Sequence, residues 1–308
     1  MSPPYTNLDG TTPDKSLVDL LRWQVVDRLA GRRRIDRTNF TMPSATGGAA
    51  AFRTAGPRLA WIGHATFVMR LGGQMIATDP VWSQGIHTVS REAPAGIGLD
   101  ELPPIDIVTV SHSHYDHMDL PTLRRIGKDA TYVVPKDNAA ILRSAGLPQV
   151  VELEWWESHE IGDVRVTLVP SQHWSMRSPF DKNRRLWGGF VYESDEATAY
   201  HAGDTAFSED VFREIGERFP GIDAAMLPIG AYDPAWFMQP QHQNPEEAGR
   251  AFELLGARRF VAMHWGTFRL TDEPLGEPPE RLAAWWTERD LPRDRLWIPA
   301  LGETTPLP

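Results

Sequence analysis

Short runs of apolar and β-branched residues alternate along the chain with segments in which apolar residues recur every third or fourth position. The short runs predict strands at residues 59–62, 65–71, 74–78, 105–110, 131–134, 164–169, 189–192, 198–202, 224–229 and 260–263. The helical spacing predicts helices at residues 16–30, 121–126, 138–144, 209–219, 245–255 and 279–289. This alternation predicts an α/β fold in which helices cover sheets.

The best-marked helix start is the segment from Asn244 to Glu247. Asn244 can cap the helix, Pro245 suits its first position, and two glutamates favour its positive end. Residues 41–51 are rich in Gly, Ala and Ser and predict a loop before the first sheet strand. We therefore expect an N-terminal helical extension over residues 1–50 and a single domain over residues 51–308.

The predicted N-terminal helix carries an apolar stripe of Leu17, Leu20, Leu21, Val25 and Leu29, and three arginines follow at residues 32–34. We expect the stripe to dock on the body of the protein. The alternative is that the helix lies on an anionic lipid surface, because an amphipathic helix with a basic end binds such surfaces.

Composition excludes several classes of function. The chain has no cysteine, so disulfides and thiolate ligands are excluded and any metal must be held by His, Asp or Glu. The net charge of −10 argues against a nucleic-acid partner. The first residues lack a signal-peptide pattern, and no apolar run approaches the roughly 18 residues of a membrane span. We expect a cytoplasmic protein. Peripheral contact with the inner face of the membrane and assembly into a homodimer are both left open.

A dense group of potential metal ligands follows the predicted strand at 105–110: His112, His114, Asp116 and His117. Side chains alternate along an extended backbone, so His112 and His114 can face the same side. Imidazole and carboxylate are the ligands that Zn²⁺ takes in the absence of thiolates, and hydrolytic ion pairs lie about 3.5 to 4 Å apart. A solvated polar turn is the plain alternative, but so many ionisable groups packed together favour a cation.

Three further ligand candidates each follow a predicted strand. His173 follows the strand at 164–169, Asp204 the strand at 198–202, and His264 the strand at 260–263. Loops at strand ends are where a sheet scaffold presents its chemistry, so this repeated placement predicts that they join the histidine cluster.

The ligand order resembles that of the metallo-β-lactamase superfamily. Motifs around it are similar to those of the N-acylphosphatidylethanolamine-hydrolysing phospholipase D group and its bacterial relatives, over residues 58 to 281. They are WIGHAT at 61–66, TDP at 78–80, EWW at 154–156, QHW at 172–174, LWGG at 186–189, AGDT at 202–205, PIGAY at 228–232, QHQNPEE at 241–247 and HWGT at 264–267. Residues 81–104 depart from the pattern of the phospholipase group.

The resemblance implies a four-layer αββα sandwich, with two central mixed β-sheets flanked by helices, as the catalytic domain. It also implies two zinc ions, although iron or manganese suits the same ligands. His112, His114 and His173 would hold one ion, and Asp116, His117 and His264 the other. Asp204 would bridge the two, and the catalytic residues would be Asp116, Asp204 and His242.

The implied function is a phospholipase D-type phosphodiesterase. A hydroxide bridging the metals would attack the phosphorus of an N-acylphosphatidylethanolamine-like phospholipid or a small phosphodiester, because two cations lower the pKa of bound water toward about 7. The alternatives are a lactonase or other small-ester metallohydrolase, and a metal-binding protein without turnover.

Several residues receive supporting roles, each beside a structural alternative. Asp79 would orient a ligand histidine, or simply form an Asp-Pro turn. His242 would border the substrate phosphate, or lie on a surface loop. For His64 we expect a structural role, either packing beneath the site or bonding to the backbone, rather than a functional one.

Substrate contacts are predicted at two places. Tyr115 and Tyr232 could donate hydrogen bonds to a substrate or equally to the scaffold. Trp236, Phe237 and Met238 would line an acyl groove or belong to the core.

Overall fold

The structure is a computed structural model that describes residues 4–13, 15–34, 36 and 40–307. Its strands are β1 (Arg58–Gly63), β2 (Thr66–Leu71), β3 (Gln74–Thr78), β4 (Gly85–Ile86), β5 (Val89–Ser90), β6 (Ile107–Thr109), β7 (Thr131–Pro135), β8 (Val150–Leu153), β9 (Ser158–Ile161), β10 (Val164–Val169), β11 (Gly189–Glu193), β12 (Thr198–His201), β13 (Ala224–Pro228), β14 (Arg259–Met263), β15 (Leu296–Trp297) and β16 (Thr304–Pro306). Its α-helices are α1 (Leu17–Leu21), α2 (Gly48–Ala51), α3 (Leu120–Ile126), α4 (Ala139–Ser144), α5 (Glu209–Arg218), α6 (Ala235–Met238), α7 (Pro245–Leu255) and α8 (Glu277–Glu288). A π-helical segment (Arg22–Asp27) continues α1.

Within the described residues, the strands form two mixed seven-stranded sheets and a short two-stranded ribbon. The first sheet has the order β16-β1-β2-β3-β6-β7-β8, and the second has the order β15-β14-β13-β12-β11-β10-β9. Each sheet joins an antiparallel half to a parallel half, at β3 in the first and at β12 in the second. The predicted α/β fold with two central mixed sheets is confirmed.

The sheets pack face to face, and helices cover their outer faces. In β3, Ile76 belongs to the core between the sheets, whereas Met75 and Ala77 pack toward α3 and α4 with Leu123 and Leu142. This alternation is the strand period of two, read on a strand that is buried on both sides. On the other side, α5, α7 and α8 contribute buried side chains to the large core cluster. The layers are therefore helix, sheet, sheet, helix.

Strand directions bring the ends of distant chain segments to one edge. In the second sheet, β10 is antiparallel to β11 and β11 to β12, while β12, β13 and β14 are mutually parallel. The ends of β10, β12 and β14 consequently share one edge. In the first sheet β3 and β6 are parallel, so the segments that follow them also leave the sheet together.

Local sequence explains why helix α7 was predicted correctly and why two edge strands were missed. Helix α7 spans Pro245–Leu255 as predicted, and the Asn244 side chain accepts a hydrogen bond from the Glu247 amide at 2.9 Å. The prediction missed β8, β9, β15, β16 and the β4–β5 ribbon. The chain places β9 and β16 at sheet edges, where mostly polar side chains replace the apolar alternation. The predicted loop over 41–51 is wrong in part, because Gly48–Ala51 is helical.

The predicted apolar stripe of the N-terminal helix does not dock. Leu20, Leu21 and Val25 are exposed and Leu29 is 84% exposed, while the side chain of Leu17 lies outside the described part of the structure. The face that docks carries Trp23 and Asp27 instead. The helix docks through Trp23, a larger apolar side chain that the stripe did not include, and this places the leucines of the stripe on the outer side.

Trp23 anchors this helix to the body. Its ring lies 5.1 Å from that of Phe237, and its Nε1 donates a hydrogen bond of 2.9 Å to Asp272 Oδ2. The described helices include none that is long and apolar enough to cross a membrane.

Candidate metal centre

The predicted ligands form two adjacent groups at the shared strand edge. The first ligand group is His112, His114, His173 and Asp204, and the second ligand group is His64, Asp116, His117 and His264. Within each group, one potential ligand atom from every residue lies within 4.8 Å of all the others. The structure therefore brings all the predicted metal ligands together and adds His64.

Histidines of the first ligand group converge from two loops. His112 Nε2 lies 2.8 Å from His114 Nδ1, which in turn lies 3.4 Å from His173 Nε2. The other ring nitrogen of His173, Nδ1, donates to the carbonyl oxygen of Gln241 at 2.8 Å. This hydrogen bond leaves Nε2 unprotonated in the neutral ring and aimed at the cluster, as a metal ligand requires.

Asp204 lies between the two groups. Its Oδ2 is 3.9 Å from His112 Nε2 and 3.7 Å from His173 Nε2 in the first group. Its Oδ2 is also 3.2 Å from His117 Nε2, and its Oδ1 is 3.0 Å from His264 Nε2, both in the second group. A single carboxylate that faces both groups has the position of a bridging ligand.

Asp116 is the centre of the second ligand group. Its Oδ2 lies 3.0 Å from His64 Nε2, 3.6 Å from His117 Nε2 and 3.8 Å from His264 Nε2. These distances leave room for a cation among the donors, since ligand atoms about 2.0 to 2.2 Å from a zinc ion lie more than 3 Å apart when arranged tetrahedrally.

Unpartnered buried atoms support the fit to cations. Among the described residues, His117 Nε2, His264 Nε2 and Asp204 Oδ1 are buried side-chain atoms without a hydrogen-bond partner, because their close contacts across Asp204 lack hydrogen-bond geometry. Buried polar atoms are normally paired, because leaving one unpaired costs about 1–3 kcal/mol. The unpaired atoms all face the same small region between the two ligand groups, and two divalent cations would occupy this region.

The pKa shifts of the clustered side chains also favour cation binding. Burial lowers the pKa of His112 and His173 well below the usual value and that of His114 to about 4, so these rings are neutral and able to bind metal. Burial alone would raise the pKa of Asp204, but the neighbouring His117 and His264 lower it well below its ordinary value. Asp204, working against burial, raises the pKa of His264 to about 9. The centre attracts positive charge, and divalent ions would replace the protons on these rings.

Asp79 contacts His117, one of the predicted metal ligands. Its Oδ2 accepts from His117 Nδ1 at 2.7 Å and from Ser111 Oγ at 2.6 Å, and its Oδ1 accepts from the Ser111 amide at 2.6 Å. Asp79 therefore fixes the His117 tautomer with Nε2 facing the centre. Ser111 was not predicted, although its position immediately before His112 at the end of a strand was a usable signal; its Oγ lies 2.9 Å from His112 Nδ1.

His64 packs beneath the centre, and its ring also contacts the second ligand group. Its ring is buried, its Nε2 contacts Asp116, and its centroid lies 3.9 Å from that of His264. The backbone explains this placement, because the His64 amide donates to Thr267 Oγ1 at 2.7 Å and its carbonyl accepts from the His264 amide at 3.0 Å. The motifs at 61–66 and 264–267 are thus joined across the two sheets.

His242 lies beside the centre, not on an open surface loop. Its ring centroid is 5.2 Å from that of His173 and 5.7 Å from that of His264. Its Nδ1 is buried without a partner in the described structure, and burial lowers its pKa to about 4. The ring lines a cavity of about 170 Å³ together with Tyr232, Gln239 and Arg281.

The predicted substrate contacts are mostly engaged in the scaffold. The Tyr115 hydroxyl donates to the Arg177 carbonyl at 2.9 Å, and the Tyr232 hydroxyl donates to Glu277 Oε1 at 2.8 Å. Phe237 and Met238 are buried in a cluster with Trp23, so the predicted acyl groove is not formed by these side chains. Trp236 alone of the three is exposed, and the Arg22 guanidinium lies over its ring at 4.3 Å.

The chain is similar in sequence and in fold to metal-dependent hydrolases. Residues 74–265 match the model of the beta-lactamase superfamily domain. The chain is 34% identical over 256 residues to N-acyl-phosphatidylethanolamine-hydrolyzing phospholipase D 1 of Caenorhabditis elegans, covering 77% of this chain and 72% of that protein. It is 34% identical over 220 residues to a UPF0173 metal-dependent hydrolase of Rubrobacter xylanophilus, covering 69% and 83%. A solved metallo hydrolase from Ignicoccus hospitalis superposes with a TM-score of 0.62 at 24% identity, covering 81% and 97%.

Proposed function

Because this chain belongs to the metallo-β-lactamase superfamily and is a metal-dependent hydrolase, we propose that it is a phospholipase D-type phosphodiesterase with two zinc ions. Its substrates would be N-acylphosphatidylethanolamine-like phospholipids. The observation that carries the proposal is the meeting of two ligand groups at Asp204, because a carboxylate shared by two histidine clusters suits a hydrolytic ion pair.

The ligands divide between the ions as follows. His112, His114 and His173 would hold one ion, Asp116, His117 and His264 the other, and Asp204 would touch both. Two such ions, when bound, supply an activated water at neutral pH and neutralise charge on the substrate phosphate. Zinc is proposed from the ligand types, and iron or manganese would be held by the same atoms.

The residues of the chain prepare this centre in three ways. Asp116 and Asp204 stay ionised because adjacent histidines lower the pKa of both carboxyls well below the ordinary value. His64 donates its Nε2 proton to Asp116 and so fixes the carboxylate. We assign to the unpartnered Nδ1 of His242 a hydrogen bond to a phosphate oxygen of the substrate, since the ring lies beside both ligand groups and borders a cavity.

The lipid substrate is supported by the relationship to a phospholipase and by the surface near the centre. Exposed Leu20, Leu21, Val25 and Leu29 stand on a helix whose Arg22 covers the exposed Trp236. Apolar side chains interspersed with arginines suit the surface of an anionic bilayer. The proposal therefore includes peripheral contact with the inner face of the membrane by a cytoplasmic protein.

The function is tested by assaying zinc-loaded protein on three substrates: vesicles containing N-acylphosphatidylethanolamine, a chromogenic phosphodiester and a panel of lactones. We expect release of N-acylethanolamine and phosphatidic acid, and its loss in Asp204→Asn. Lactone hydrolysis alone would establish the small-ester alternative and overturn the lipid proposal. No turnover on any of them by protein that holds two ions would favour a metal-binding role.

A further inference from the structure

The N-terminal arm, which we define as residues 5–11, reaches the metal centre from outside the segment that matches the superfamily model. Its Asn7 is buried, with 3% of its surface exposed. The Asn7 Oδ1 accepts a hydrogen bond from the His173 amide at 3.0 Å and another from Trp187 Nε1 at 3.2 Å. Both partners are donors, so the orientation of the amide group is determined, with the oxygen toward His173.

The arm is held in place independently of the Asn7 side chain. The Tyr5 amide donates to the Asn183 carbonyl at 2.8 Å, and Gln172 Nε2 donates to Asp9 Oδ2 at 3.0 Å and to Thr11 Oγ1 at 3.1 Å. Within the arm, the Asn7 amide donates to the Thr11 carbonyl at 2.9 Å. The arm is therefore fastened to the loop that carries His173 on both sides of Asn7.

The contact acts on one ligand loop only. The His173 ring is oriented by the Gln241 carbonyl, and its backbone is secured by Asn7. His173 belongs to the first ligand group, whereas the second group is secured separately through Asp79 and His117. Removing the Asn7 acceptor would leave the buried His173 amide unpaired and loosen the backbone that carries this ligand, without touching the second group.

We propose that Asn7 is a positioning residue for the first ligand group, so that the arm completes one of the two cation sites. The proposal rests on the proposed function, because it presupposes that the centre binds cations. A general stabilising role would affect both cation sites equally, whereas the proposed role affects only the site formed by the first ligand group.

The test is zinc binding measured by chelator competition, with ¹H–¹⁵N NMR of the imidazole rings to identify which ligands have lost their ion. Asn7→Leu keeps the branched heavy-atom skeleton of asparagine without an acceptor, and we expect it to weaken the first site about 10- to 100-fold, the range seen when a group supporting a metal ligand is removed. The second site should keep its affinity. Asn7→Asp restores an acceptor oxygen and should recover most of the lost affinity.

Leu8→Ala is the matched control, because Leu8 is an exposed neighbour on the same arm and its truncation should leave both sites unchanged. Wild-type affinity at both sites in Asn7→Leu would overturn the proposal, and so would an equal loss at both sites. If Asn7→Leu is insoluble, Asn7→Ser, whose hydroxyl is too short to reach the His173 amide, is measured in its place with the same expectations. Absence of bound ions in the wild type would instead overturn the proposed function.

Discussion

The hydrogen bonds around Asp79 make a sharp prediction for Asp79→Asn. In the native side chain, Oδ1 accepts from the Ser111 amide, and Oδ2 accepts from both Ser111 Oγ and His117 Nδ1. An asparagine of the same shape offers one acceptor oxygen and one NH₂ group. Whichever way the amide is turned, its NH₂ faces a donor.

Each orientation carries a cost. If the NH₂ faces His117, the ring must move its proton to Nε2, where it can no longer bind a cation; if the NH₂ faces the Ser111 amide, that buried donor loses its partner. One unsatisfied buried donor costs about 1–3 kcal/mol. Since roughly 1.4 kcal/mol is a factor of ten in affinity, zinc binding at the second site should weaken about 10- to 100-fold.

Chelator competition on the purified variant measures this change. Asp106→Asn is the matched control, because Asp106 also accepts from a backbone amide, that of Met75 at 2.8 Å, but at the start of β6 rather than at its end. We expect the control to bind both ions like the wild type. Unchanged zinc affinity in Asp79→Asn, or a loss confined to the first site, would refute the assignment of Asp79 to His117.

Three further changes test other parts of the structure. The pKa of His242 in the folded protein is about 4, below the ordinary value near 6.5, so protonation of this ring destabilises the fold as the pH falls from about 6.5 to 4. Between pH 7.5 and 5, the unfolding free energy of metal-free His242→Gln should therefore fall by about 2 kcal/mol less than that of the metal-free wild type. Equal losses for the two proteins in denaturant titrations would contradict this. Leu21→Glu combined with Val25→Glu should reduce sedimentation with anionic vesicles at unchanged melting temperature, since both side chains are exposed; undiminished sedimentation would remove the helix from any membrane contact. Gly249→Ala should destabilise the protein by about 1–3 kcal/mol although alanine favours helices, because its Cβ would meet the Trp285 ring at 2.4 Å; a melting temperature at or above that of the wild type would contradict the close packing of α7 on α8.

Candidate ligands that directly follow a strand could be predicted from the sequence. His173, Asp204 and His264 each follow a strand whose apolar run is clear, and the shared strand direction then brings them to one edge. Asp79 was identified for the same reason, because it follows β3, the parallel neighbour of β6. For these residues, local pattern and sheet geometry together are sufficient.

Residues that reach the centre through contacts between distant loops could not be predicted from a local sequence pattern. His64 reaches the centre because its backbone pairs with that of His264 in the other sheet, and Asn7 reaches it because the arm folds back over the loop of His173. Neither contact depends on a spacing that can be read along the chain. The prediction for the N-terminal helix was wrong for a different reason, since the helix packs through Trp23 and not through the leucine stripe.

Zinc-edge anomalous diffraction from crystals of the zinc-reconstituted protein would locate the bound ions directly. It should show two peaks about 3.5 to 4 Å apart, one within each ligand group, with the Asp204 carboxylate between them. A single peak, peaks remote from Asp204, or ligand side chains that point apart in protein saturated with zinc would show that these loops do not converge to hold a pair of ions.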